Sequence, residues 1–174
     1  MLFGGCADTL QVKPIPHNIL EDMVVAPFPV YWLGGSFRGL AVTEASHDAS
    51  GAFTVQYGNC LVGGEGTCTP PLRIVTSPDN SFVPGGQSAS EHTSIRGVAA
   101  VLTDAGRAVS LSTGGVVVDV YAYKRSLALG AASAIAPINR PESSTASLPR
   151  ALPDTGFGAT PLPSQLPATV RPLG

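Results

Sequence analysis

Hydrophobic and polar residues alternate through the stretch AFTVQYG. Phe53, Val55 and Tyr57 fall on one side, Thr54 and Gln56 on the other, which is the two-residue period of a half-buried strand. PLRIVT repeats the pattern with Leu72 and Ile74 on one side. SIRGVAAVL, RAVSLS and GVVVDVYAY follow, parted by Asp104-Ala105-Gly106 and by Thr113-Gly114-Gly115. Both separators are turn signals of the kind that joins antiparallel neighbours. In the last run Val116, Val118 and Val120 share a face, and Val117, Asp119 and Tyr121 share the other. Then the period changes. Leu127, Ala131, Ala134 and Ile138 are spaced four, three and four apart, one stripe of a helix. Ser126 is placed to cap it and Pro137 to end it. The pattern predicts an α+β fold: an antiparallel β-sheet with a C-terminal helix packed on one face.

The two ends read differently. Residues 1–22 are expected to form a flexible segment, since Pro14 and Pro16 oppose a helix. The exception is a short helical turn over 18–23, with Asn18 as its cap and Glu21 at the third position. From Pro141 onward the chain is rich in Pro, Ser, Thr and Ala and has no hydrophobic period, so 141–174 is expected to be a disordered, Pro-rich tail. Residues 23–140 remain as the α+β domain, long enough for one hydrophobic centre.

Charge narrows the function classes. Of the 174 residues, 13% are charged, about half the usual quarter, and the net charge is −2 with acids and bases scattered. No basic face marks a nucleic-acid partner. No window approaches the roughly 18 consecutive apolar residues that a spanning helix needs.

Three cysteines raise the question of compartment. Cys60 and Cys68 have seven residues between them, with glycines at 63, 64 and 66 to let the loop fold back. The spacing fits a disulfide first, free thiols second and a metal pair last, because His17, His47 and His92 are not placed near either cysteine. A ring this short contributes roughly 2–3 kcal/mol by constraining the unfolded chain, and it implies an oxidising compartment. Cys6 is left over. It follows Leu2-Phe3-Gly4-Gly5, which looks like the end of a bacterial lipobox, the motif cut before a cysteine that then carries lipid. Membrane contact is expected only through such an N-terminal anchor at Cys6. LPDTG at residues 152–156 matches the LPxTG sorting signal. The prolines at 161, 163, 167 and 172 rule out the apolar run such a signal needs behind it, so sorting is not expected.

APFPVYWLGGSFRGLAVT, FTVQYGNC and CTPPLRI, followed by SIRGVAAVL and APINR, together resemble an actinobacterial group of secreted or lipid-anchored proteins. The resemblance covers residues 26–140. Its specific parts are Tyr31-Trp32-Leu33-Gly34 and the Cys60 and Cys68 elements. It implies a location outside the cytosol and brings no mechanism.

Candidate chemistry is sparse. GGSFRG lacks the spacing of a nucleophile elbow and the Lys-Ser/Thr of a phosphate loop, so it reads as a turn. His47-Asp48 and Glu91-His92 read as loop pairs. No catalytic residues, metal ligands or cofactor are assigned. The binding candidates are aromatic: Tyr31, Trp32 and Tyr57. Trp32, the only tryptophan, is expected in the core, which leaves its neighbour Tyr31 exposed on the opposite side. The expected function is an extracytoplasmic, membrane-tethered, non-enzymatic surface module. It would meet a protein or small ligand around the Tyr31 edge and the Cys60–Cys68 loop. The competing expectation is a small secreted hydrolase-like enzyme.

Overall fold

The computed structural model describes residues 15–62, 68–78, 90–140 and 147–150. In chain order the elements are α1 (His17–Val25), β1 (Tyr31–Trp32), β2 (Ser36–Phe37), β3 (Leu40–His47), β4 (Phe53–Tyr57), β5 (Leu61–Val62) and β6 (Cys68–Thr69). β7 (Leu72–Ser77), β8 (Glu91–Ile95), β9 (Val98–Thr103), β10 (Ala108–Thr113) and β11 (Val116–Ala122) follow, then α2 (Arg125–Ala134) and β12 (Ala136–Pro137). An eight-stranded antiparallel sheet runs β2-β3-β4-β7-β11-β10-β9-β8, and two small ladders, β1-β12 and β5-β6, stand beside it. The fold is α+β, with a helix laid on the sheet.

Strand register sorts the side chains. Val42, Ala45, Phe53, Val55, Tyr57, Leu72, Ile74, Val116, Val118, Val120, Val109, Leu111, Ala100, Leu102 and Ile95 all fall on one face and form one core cluster. Met23 of α1, Leu127, Ala128, Ala131 and Ala132 of α2, and Ile135 just after it join the same cluster. Both helices therefore cover the same side. Burying this apolar surface stabilises the sheet-helix contact by about 25 cal/mol per Å².

Several expectations are corrected. α1 begins at His17, ahead of the boundary expected at Met23, and the helix carries Met23 into the core. Pro16 occupies the N-cap with φ −54°, where its missing N–H costs nothing, and Asn18 is not the cap. SIRGVAAVL is not one strand. Arg96 and Gly97 both take positive φ, 50° and 84°, and turn the chain between β8 and β9. Arg96 is held there by donating through Nη1 to the carbonyl of Ile135 at 2.5 Å.

α2 starts after Lys124 rather than Ser126 and stops at Ala134. Its inward stripe is Leu127, Ala128, Ala131 and Ala132, while Ala134 is exposed. Pro137 does not end the helix but pairs with Tyr31 in the β1-β12 ladder. Residues 147–150, expected within a structureless tail, pack on the domain. Leu148 is buried and donates its N–H to the carbonyl of Arg96, and Thr113 pairs with Arg150 across a β-bridge. An apolar side chain met a place in the core cluster, which composition does not reveal.

Candidate functional site

The aromatic candidates resolve into an architectural motif. Tyr31 is 2% exposed and Trp32 is half-buried, the reverse of the expectation. Alternation puts the two on opposite sides but does not say which side faces in. That is decided by β1 lying against the core face of β7, where the Tyr31 N–H donates to Thr76 Oγ1 at 3.0 Å. Burial pushes the Tyr31 phenol up. Tyr57 is fully buried, and desolvation pushes its phenol up to about 12. Its hydroxyl accepts from the Leu33 N–H at 2.8 Å and donates to the Gly34 carbonyl at 3.2 Å. Tyr57 and the Trp32–Gly34 stretch therefore meet, but as a fastening. A ligand has no access to Tyr31 or Tyr57, and of the three only Trp32 keeps partial exposure.

Asn139 closes the same region from the other end of the chain. Its side chain accepts from the Val30 N–H and donates to the carbonyls of Ala26 and Phe28, while Arg140 donates to Pro27. The stretches APFPVYW and APINR, far apart in sequence, are thus one clamped unit with β1 and β12 at its centre.

Cys60 precedes β5, and Cys68 opens β6 opposite Val62, so the two ends of the cysteine loop are held against each other. The Cys68 side chain, Cys6 and LPDTG lie outside the described residues. Among the described residues no group of three or more His, Cys, Asp or Glu is arranged to hold a metal. His47 lies 3.4 Å from Asp22 of α1 and stacks on Phe53, and Glu91 pairs with Arg125 at 2.7 Å, so each of these residues serves to fasten a helix to the sheet.

The second face of the sheet carries a different population. Val117, Asp119 and Tyr121 of β11, Ser110 of β10, Arg73 and Val75 of β7, and Thr54 and Gln56 of β4 point away from the core cluster. Asp119 is 4% exposed and Ser110 is 5% exposed. The two stand opposite each other, and the Ser110 hydroxyl donates to Asp119 Oδ1. Burial holds the Asp119 carboxyl above its ordinary range, opposed by the Ser110 bond and by the charge of Arg73. Arg73 sits opposite both Tyr121 and Gln56, and its guanidinium carbon lies 4.6 Å from the centre of the Tyr121 ring. Burial also raises the Tyr121 phenol, with the nearby Asp119 adding to the effect.

Arg73 Nε is buried and has no hydrogen-bond partner. A buried donor left so costs about 1–3 kcal/mol, which asks for an explanation. The rest of the guanidinium forms no ion pair among the described residues. Among the described residues the cluster is therefore a cation braced by an aromatic ring, with one buried N–H unpaired, beside an acid bonded by a serine.

Sequence reasoning placed Asp119 and Tyr121 on one face but assigned them no role. The signal was present in GVVVDVYAY, where a lone acid in a valine run must be bonded if it is buried. Nothing in PLRIVT marks Arg73. Comparison with protein-family models, curated proteins and solved structures gives no match, so the chemistry of the site rests on its residues alone.

Proposed function

We propose that this protein is an extracytoplasmic, membrane-tethered, non-enzymatic module that holds a ligand on the polar face of its sheet. The observation that carries the reading is Arg73, a cation stacked on Tyr121 whose buried Nε–H has no acceptor among the described residues. A group fixed in place and left unpaired is suited to recognition, because the cost of ordering it has been met before the ligand arrives. Ser110 donates to a carboxylate and both groups are buried, an arrangement that positions rather than attacks, which speaks against the hydrolase alternative.

Location is supported by Cys60 being disulfide-bonded and by the pairing of β5 with β6, with Cys68 as the partner of Cys60 in this reading. The tether at Cys6 rests on the Leu2–Cys6 sequence and on the resemblance to exported proteins. The test is a thiol-blocking peptide map of the chain exported to an oxidising periplasm and of the same chain kept in a reducing cytoplasm. The reading predicts a 60–68 bridge and a higher melting temperature in the exported sample. Free thiols at both positions after export, with unchanged melting, contradict it.

A further inference from the structure

Among the described residues of the strands flanking it, Arg73 is the one cation on the polar face. On the strands flanking Arg73 the same face presents Thr54 and Gln56 from β4, Glu44 and Ser46 from β3, Val117, Asp119 and Tyr121 from β11, and Ser110 and Ser112 from β10. A guanidinium offers five N–H donors in a flat fork. Stacking on Tyr121 takes a flat surface of the guanidinium and Nε is buried, which leaves the two terminal nitrogens as the edge to offer a ligand on this half-buried side chain. An acceptor that fits this edge is planar and has two oxygens.

The surrounding charge selects among such acceptors. A phosphate dianion would bring two negative charges beside Asp119 and Glu44, with Arg73 the one cation among the described residues of these strands. A carboxylate brings only one negative charge and takes the parallel two-bond geometry the fork is shaped for. Gln56, beside Arg73 in the register, supplies a carboxamide at the margin.

We propose that the polar face binds one carboxylate group of a ligand, received end-on by the Arg73 guanidinium, with Tyr121 bracing the cation and Gln56 at its side. This rests on the reading of the polar face as the binding surface and adds the class of ligand. The carboxylate belongs either to a free small acid or to a peptide terminus, and the two arms below separate these.

The experiment titrates the isotope-labelled full chain while following the Arg73 Nε–H and Gln56 side-chain amide resonances. The probes are acetate, acetamide, inorganic phosphate, and N-acetylalanine with its C-terminal amide. Acetate and N-acetylalanine are expected to give saturable shifts, with acetamide and the amidated compound inert. Tighter saturation by N-acetylalanine than by acetate points to a peptide terminus, and equal midpoints to a small acid. Arg73→Lys keeps the charge but loses the fork, and is expected to raise the acetate midpoint by about tenfold or more, read at Gln56, with unchanged circular dichroism. Gln56→Ala, a second variant independent of that cation, is expected to weaken binding by about threefold.

Retention of the wild-type midpoint in Arg73→Lys overturns the proposal. Saturation by phosphate or acetamide without acetate overturns the ligand class and leaves the face as a binding surface. Absence of any saturable shift overturns the proposal outright, while the export and disulfide map still decides the location independently.

Discussion

Tyr57 donates and accepts at one hydroxyl within a site closed to water, so the loop after β1 depends on a single oxygen. Tyr57→Phe is expected to lower stability by about 1–2 kcal/mol, measured by urea unfolding, because the Leu33 N–H loses its acceptor. The raised phenol also makes a pH prediction. The unfolded tyrosine ionises near its ordinary value of 10.0 and the folded one only near about 12, so the folded state's advantage is whole below the first value. Stability should fall as pH rises through this window, and Tyr57→Phe should remove that part of the fall. Asp119 behaves alike at lower pH. Its folded carboxyl is raised, so its contribution is complete in acid and is lost as pH rises through the folded value. Asp119→Asn keeps an acceptor for Ser110 and removes the charge. Its melting temperature is expected to exceed that of the wild type at neutral pH and to converge with it in acid.

At the scale of elements, legibility followed the range of the forces. β4, β7, β10 and β11 were readable because a two-residue period reports directly which side chains share a face. The Arg96-Gly97 turn was missed because arginine is a rare choice for positive φ, and it is sustained there by the Ile135 carbonyl, a contact 39 residues away. The order of Tyr31 and Trp32 was inverted for the same kind of reason: β1 is two residues long, and Thr76 and Pro137 decide its inward side. Asn139 carries three hydrogen bonds to the segment before β1. Asn139→Ala is expected to cost about 3 kcal/mol by urea unfolding, with the β1-β12 ladder exchanging its amides faster. Gly130 of α2 tests how the β2-β3 turn meets the helix. A Cβ there would come within 2.6 Å of the Arg38 guanidinium, which is exposed and free to swing aside. Gly130→Ala is therefore expected to stabilise by about 0.5–1 kcal/mol from helix propensity, read as a rise in melting temperature.

The whole molecule divides its chemistry between two sheet faces. One collects nearly all the buried apolar residues, both helices and the clamped β1-β12 unit, and the aromatic candidates Tyr31 and Tyr57 belong to it. The other carries the Arg73, Tyr121, Asp119 and Ser110 cluster. The fold class was readable from the chain because periodicity survives without knowledge of long-range contacts. The candidate site was not, because the unpaired Nε–H of Arg73 follows from which of the described residues the fold places beside it, and no local pattern in PLRIVT reports that. The most direct test of this division is the acetate titration repeated on Trp32→Phe, followed at Arg73 Nε–H. The account predicts an acetate midpoint within about twofold of the wild type, since Trp32 lies in the clamped unit and away from the polar face. Loss of the saturable shift, with the variant still folded, would place recognition at the aromatic motif and contradict the account.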